Sequence, residues 1–334
     1  MKINSQLNAI FQKNNFENLN SSTILITGGA GFLGSWLCDI FINLGCKVYC
    51  LDDLSTGKVE NISHLLENKN FNFIKNSVEH FSGLPEKCDI IIHMAARPSP
   101  NDYTQFPVET ISSNTIGTFN VLELGRKDNS LILFTSTSEI YGDAKVLPTS
   151  EDYWGNVNPI GIRSCYDESK RLSESLLMAY HREYGSNVRI VRIFNTYGPR
   201  IRADGSYGRV IPNFITQSLQ NIPLTIHGDG SQTRSFCYVT DTLRGILLLL
   251  SNSKLNAKPV NIGYPEEITI LDLAKKISEK INHKLEIKFI KRPIDDPQRR
   301  CPDISIAKDQ LNWKPEISLD EGLSKTIDWF KHHY

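Results

Sequence analysis

A membrane-spanning segment is missing from this chain of 334 residues: even the apolar run Ile246–Leu250 is far short of the roughly 20 residues a spanning helix needs. Net charge is missing too. The 37 basic residues balance 37 acidic ones, so no overall basic field exists to recruit nucleic acid or anionic lipid. Seven cysteines (38, 46, 50, 88, 165, 237 and 301) form no C-x-x-C pair and no Cys/His cluster, which argues against a disulfide framework and against a metal site. Cys38, Cys46 and Cys50 stand in apolar surroundings, where buried reduced thiols are expected, and the chain reads as cytoplasmic. Residues 1–22, rich in Asn, lack the apolar core and cleavage site of a secretory signal, and are expected to form an extra helix or a loose arm. Neither an internal repeat nor a low-complexity linker is present.

Periodicity supplies what composition does not. Strands are expected at "TILIT" (23–27), "KVYCLDD" (47–53), "DIIIH" (89–93), "SLILFTS" (130–136) and "VRIVRIF" (188–194). Phe32, Leu33, Trp36, Leu37, Ile40, Phe41 and Leu44 recur at helical spacing before Gly45, a natural C-cap. Further helices are predicted at about 114–127 and 166–184. Runs apolar on both faces and separated by helices imply a parallel sheet covered on both sides, an α/β fold of the Rossmann-type doubly wound kind. After residue 195 the rhythm changes. The stretch 197–209 is a Gly- and Arg-rich loop, 223–239 a loop followed by a strand, and the tail has a helix at 270–282, a strand at 285–290 and a last helix from 318 with the capping box Ser318-x-x-Glu321. The expected organisation is an arm (1–22), a first domain (23–195) and a smaller C-terminal α/β lobe (196–334), some of whose segments return to the first domain.

In "ITGGAGFLG", Gly28, Gly31 and Gly34 follow the first strand and open a helix. Such glycines let backbone N–H groups approach a pyrophosphate at a helix N-terminus, although a tight strand-to-helix turn also uses them. Asp52 ends the second strand 24 residues after Gly28, where a carboxylate can hold ribose hydroxyls and repel a 2′-phosphate, favouring NAD over NADP. The alternative for Asp52 is a solvated strand-end charge. The candidate cofactor-contacting set is Gly28, Gly31, Phe32, Leu33, Gly34, Asp52, Asp53 and Ala95, with Tyr166 and Lys170.

Those last two lie four apart in "SCYDESKRLSES", hence on one helix face. A phenol, with an ordinary pKa of ~10, is a poor base until nearby positive charge stabilises the phenolate. Lys170 and the nicotinamide are expected to lower the value for Tyr166. Upstream, "STSEIYGD" (136–143) ends a buried strand on Thr137, Ser138 and Glu139, where packing alone would ask for Val or Gly. Thr137 can hydrogen-bond the hydroxyl that Tyr166 deprotonates. Glycine turn, strand-end hydroxyl and Tyr/Lys in this order make the extended short-chain dehydrogenase/reductase arrangement.

The blocks "STSEIYGD", "SEDYWGNVNPIGIRSCYDESKR", "VRIFNTYGPR", "GSQTRSFCYV" and "DDPQRRCPDIS" resemble the UDP-glucuronic acid decarboxylase (UDP-xylose synthase) family over residues 23–330. The resemblance implies Thr137, Glu139, Tyr166 and Lys170 as the catalytic set. It places Ser138, Asn195, Arg234 and Arg300 around the UDP-sugar, with the arginines near the diphosphate, and makes the second lobe the substrate lobe. It also implies NAD as a recycled cofactor and a homodimer formed through the helices at 114–127 and 166–184. No nucleic-acid or membrane partner is expected. Two departures stand out: Arg97 in "HMAARPSP", where a small residue is usual, and Ser77 in "NSVEH", where many relatives use Asp near the adenine. Arg97 is expected to alter the nicotinamide or substrate environment. A related 4-epimerase or 4,6-dehydratase is the alternative activity, and a non-enzymatic NAD-sensing regulator the distant one.

Overall fold

The computed structural model describes residues 3–11, 16–203, 208–282 and 284–333, so parts of the predicted arm (1–2 and 12–15) and of the Gly- and Arg-rich loop (204–207) lie outside the described residues. In chain order the strands are β1 (Thr23–Thr27), β2 (Lys47–Asp52), β3 (Phe71–Lys75), β4 (Ile90–His93), β5 (Leu131–Thr137), β6 (Asn187–Ile193), β7 (Thr196–Tyr197), β8 (Leu224–His227), β9 (Thr233–Arg234), β10 (Cys237–Tyr238), β11 (Pro259–Ile262), β12 (Ile268–Thr269) and β13 (Ile287–Ile290). The α-helices are α1 (Ile3–Phe11), α2 (Phe32–Asn43), α3 (Pro100–Gln105), α4 (Pro107–Asp128), α5 (Ser164–Tyr184), α6 (Val210–Leu219), α7 (Val239–Ser251), α8 (Ile270–Ile281), α9 (Ser305–Leu311) and α10 (Leu319–His333).

Seven strands pair into one wholly parallel sheet in the order β3-β2-β1-β4-β5-β6-β11. Its central strands are buried because both faces are covered by helices, and their sequences are correspondingly apolar on both faces. Strand order reverses between β1 and β4, so their C-terminal ends leave the crevice in which such sheets bind ligands. The short ribbons β10-β7, β12-β9 and β13-β8 carry the remaining strands beside that crevice.

Two sheet strands carry no clear signal in the sequence, and they are the two edges. β3 alternates Phe and Asn and ends on Lys, while β11 opens on Pro259, which an edge strand tolerates at its first position. Helix α4 starts at Pro107, seven residues before the predicted start. Its buried positions include Thr110, Ser113, Asn114 and Thr118, so small polar residues stand where an apolar stripe would have betrayed the helix. At α10 only half of the capping box forms. Ser318 Oγ accepts the Glu321 N–H at 3.2 Å, but the Glu321 carboxylate takes Lys325 at 2.6 Å instead of reaching back.

The start of the chain is docked. In α1, Leu7 and Ile10 are buried in the main core, and the Tyr238 hydroxyl donates to Gln6 Oε1 at 2.8 Å. Ile10→Ala should therefore cost about 2–4 kcal/mol in chemical denaturation, the range for emptying a core site. An unchanged unfolding midpoint would show α1 to be loosely attached.

Candidate active site

The turn between β1 and α2 is built for close backbone approach. Gly28 adopts φ +70°, and a Cβ there would lie 2.9 Å from the Ala95 nitrogen. At Gly34 a Cβ would come within 2.2 Å of the Gly28 carbonyl, so only glycine lets α2 begin this near the turn. No side chain caps α2 at Gly31, which leaves its first N–H groups directed at the crevice. Asp52 accepts from the N–H groups of Ala30 (2.9 Å) and Leu54 (2.8 Å). Burial pushes its carboxyl above the ordinary range, with those two N–H groups pulling the other way. The carboxylate thus shapes the loop as well as facing the crevice. Gly28, Gly31, Phe32, Leu33, Gly34 and Asp52 line one cavity of about 420 Å³. Glycines that no side chain could replace, an uncapped helix start and a strand-end carboxylate fit the pyrophosphate and ribose of NAD.

Asp53 and Ala95 sit together in a smaller recess with Asn76, Ser77, Val78 and Arg97. Arg97 Nη2 lies 3.9 Å from Asp53 and Nη1 donates to Ser113 Oγ at 3.5 Å. Arg97 thus lines this smaller recess, which borders the main cavity at Gly28 and Asp52. Ser77 lines the same recess.

Across the main cavity, β5 ends on Thr137, whose Oγ1 accepts the Glu139 N–H at 3.2 Å, and Ser138 is buried beside it. Tyr166 and Lys170 face the same cavity from the first turns of α5. The Tyr166 ring stacks on Tyr103 with centroids 5.4 Å apart and planes 10° apart. Lys170 Nζ donates to the Thr135 carbonyl at 3.0 Å, 4.6 Å from the Phe134 ring centroid. Without cofactor, burial and Glu139 push the Tyr166 phenol above its ordinary value, with a hydrogen bond to Thr137 pulling it back. Burial likewise pushes the Lys170 ammonium down to about 7. Low dielectric disfavours both charged forms.

Glu139 is the centre of the site's charge. Arg300 grips it through two bonds of 2.7 Å, and Arg163 Nη2 donates to Oε2 as well. Burial works against the carboxylate, but Arg300 and Arg163 outweigh it and hold its pKa at about 2. Asp167, beside Tyr166, is pushed up to about 8 by burial and by Glu139. Arg234 bonds both oxygens of Asp296, and Asn195 Nδ2 donates to the Ser235 carbonyl at 3.2 Å. Asn195, Arg234 and Arg300 line the same cavity as Tyr166. Sequence reasoning missed Arg163, Tyr103 and Asp296. Arg163 was within reach, since it stands three residues before Tyr166, on the same helix face.

A carboxylate held below its ordinary value of 4.5 contributes stability above that value and surrenders it as the pH falls toward about 2. Glu139→Gln should be less stable than wild type at neutral pH by about 3–5 kcal/mol, the cost of breaking a buried pair. Wild type should also lose stability more steeply between those two pH values. Parallel acid-denaturation curves would remove Glu139 as the source.

A family model described as NAD dependent epimerase/dehydratase family matches residues 24–263. UDP-glucuronic acid decarboxylase 1 of Arabidopsis thaliana is 48% identical over 309 residues, covering 92% of this chain and 70% of the relative. Its namesake from Danio rerio is 47% identical, with 92% and 72% covered. Among solved structures, UDP-glucuronic acid 4-epimerase from Bacillus cereus in complex with UDP-glucuronic acid and NAD superposes with a TM-score of 0.83 at 31% identity, over 93% of this chain and 100% of that one. UDP-glucose 4-epimerase from Thermotoga maritima, with UDP-glucose, gives 0.85 at 32%, over 93% and 99%. Glycine turn, Tyr/Lys pair and arginine-held glutamate thus lie on a scaffold shared with nucleotide-sugar enzymes, and the chain belongs to the UDP-glucuronic acid decarboxylases of the NAD dependent epimerase/dehydratase family.

Proposed function

We propose that the protein decarboxylates UDP-glucuronate to UDP-xylose with no net oxidation. One observation carries this reading: position 138 is a buried serine facing the cavity, while its neighbour Glu139 is held ionised by Arg163 and Arg300. Removing water across carbons 5 and 6 of a hexose needs an acid to protonate the departing hydroxide, and neither group can serve. Decarboxylation needs none, since a 4-ketone β to the carboxylate suffices. A serine there also spares the substrate carboxylate a repulsive neighbour.

NAD, held by the glycine turn and Asp52, would supply an acceptor for the hydride of sugar carbon 4 and a donor for its return. Tyr166 Oη removes the proton of the 4-hydroxyl, which Thr137 Oγ1 orients. After carbon dioxide leaves, the same two hydroxyls face the enolate oxygen and stabilise it. Glu139 orders the sugar or a water at carbon 5. Asn195, Arg234 and Arg300 hold the nucleotide, and arginine's permanent charge and bidentate geometry suit the diphosphate. The first domain (23–195), completed by β11, holds NAD, and the lobe from 196 onward holds most of the UDP-sugar. Seven buried free thiols suit a reducing, cytoplasmic setting. Among the described residues no helix is long and apolar enough to cross a membrane.

The protein is further proposed to be a homodimer. Val108, Ile111, Ile116 and Phe119 on α4 and Leu172 and Tyr184 on α5 are exposed, although these helices pack against each other along their lengths. Two such pairs would form a four-helix bundle between subunits. Light scattering at micromolar concentration should give twice the 37.8 kDa chain mass, and Phe119→Glu should halve it. A monomeric wild type would overturn the assignment.

The activity is tested with UDP-glucuronate, UDP-glucose and dTDP-glucose side by side, following product mass, carbon dioxide and NADH. A pentose nucleotide from the uronate alone, without accumulated NADH, is expected. Ser138→Asp should slow uronate turnover, and Tyr166→Phe should slow it by ~10²-fold or more, the scale of a positioned acid–base group. An epimerised uronate with no carbon dioxide, or a 4-keto-6-deoxy sugar from either glucose nucleotide, would overturn the reading.

A further inference from the structure

One carboxylate in the cavity is surrounded by three guanidinium groups. Asp296 accepts from Arg234 Nη2 at 3.1 and 3.0 Å through its two oxygens, lies 3.9 Å from Arg163 Nη1, and lies 3.6 Å from Arg292 Nε. The Nη groups of Arg234 are fully engaged: Nη1 donates to the carbonyls of Thr233 (2.8 Å) and Gln298 (3.4 Å), and Nη2 to Asp296. Arg234 is buried, so water does not fill in for a lost partner. While Asp296 keeps its place, Arg234 has no Nη hydrogen for a ligand.

The segment carrying Asp296 is short and distinct. In "KRPIDDPQ" (291–298) prolines bracket the two aspartates, and Asp295 adopts φ +60° with its carboxylate accepting from Asn158 Nδ2 at 3.1 Å. Ile294, just before them, is exposed. Pro293 and Asp296 line the same cavity as Arg234 and Arg300, Asp295 is exposed like Ile294, and Arg292 Nη2 donates to the Asp296 carbonyl at 2.7 Å.

We propose that Asp296 is a stand-in anion, which holds Arg234 of the diphosphate subsite before substrate arrives and is displaced by the substrate's diphosphate. The inference rests on the nucleotide-sugar reading of the site. In the free enzyme Asp296 balances Arg234 while Glu139 holds Arg163 and Arg300, and a dianion presents more charge to Arg234 than the one carboxylate it displaces. A ligand without phosphates gains nothing from the exchange, so Asp296 sets a selectivity for the diphosphate. Release benefits as well. Substrate and product carry the same UDP moiety, and an uncontested arginine site would trap the product, whereas the returning Asp296 helps to expel it.

The test is titration calorimetry of UDP and of uridine into the holoenzyme. Asp296→Asn removes the competitor's charge and should bind UDP about tenfold more tightly, equivalent to about 1.4 kcal/mol. Asp296→Glu, which keeps the charge, should bind UDP as wild type does, and uridine affinity should be the same in all three. In turnover, Asp296→Asn should show a lowered KM and a kcat that falls as product release slows. Weaker or unchanged UDP binding by Asp296→Asn would overturn the inference and make Asp296 a permanent support of Arg234. Wild type that binds no UDP would instead overturn the nucleotide-sugar reading itself.

Discussion

A glutamate gripped by two buried arginines governs this site. Glu139 leaves the end of β5, Arg163 opens α5 and Arg300 arrives from the C-terminal lobe, 161 residues away. Each charge alone would be costly where it stands, and an isolated buried ion shifts its pKa or is expelled. Together they are tolerable, because Glu139 accepts from both arginines with short, near-ideal geometry. That requirement fixes three distant segments relative to one another, the end of β5, the start of α5 and the C-terminal stretch around Arg300. The same carboxylate raises the Tyr166 phenol and the Asp167 carboxyl. One ion cluster therefore shapes the wall of the cavity and adds to what burial does to Tyr166 and Asp167.

Burial rather than charge decides the acid–base pair. Tyr166 and Lys170 are buried, and desolvation favours the neutral form of each. A lysine near neutrality is a proton reservoir that can empty and fill at little cost. Positive charge entering beside the phenol would stabilise the phenolate and lower its pKa.

What the sequence revealed was local. The glycine turn could be read because three glycines, a strand and a helix lie within a dozen residues, and each glycine answers a clash that backbone geometry imposes. Tyr166 and Lys170 could be read from a four-residue spacing. The partners of Glu139 could not, since no periodicity links residue 139 to residue 300. Nor could the edge strands β3 and β11, which need less apolar surface than central strands, or the first two turns of α4, where Thr110, Ser113 and Asn114 replace an apolar stripe. The surroundings of Arg97 were equally out of reach, since Asp53 and Ser113 approach it from 44 residues before and 16 residues after in the chain.

The two ligand halves of the cavity must also keep their register, and a second buried cluster on the far side of the dinucleotide helix serves that end. Arg200, in the loop after β7 and at φ +70°, pairs with Asp39 of α2 at 2.8 Å and lies 5.4 Å from the Trp36 ring centroid. Trp36 Nε1 donates to the Pro199 carbonyl at 3.1 Å. A left-handed backbone at an arginine is strained and persists only where several contacts over-determine it. Here an ion pair, a cation–π contact and a hydrogen bond do so together. They bolt the loop that opens the second lobe to the helix whose N-terminus receives the pyrophosphate. Since Arg200 and Ile201 line the shared cavity as well, the same contacts fix that part of the cavity wall relative to the glycine turn.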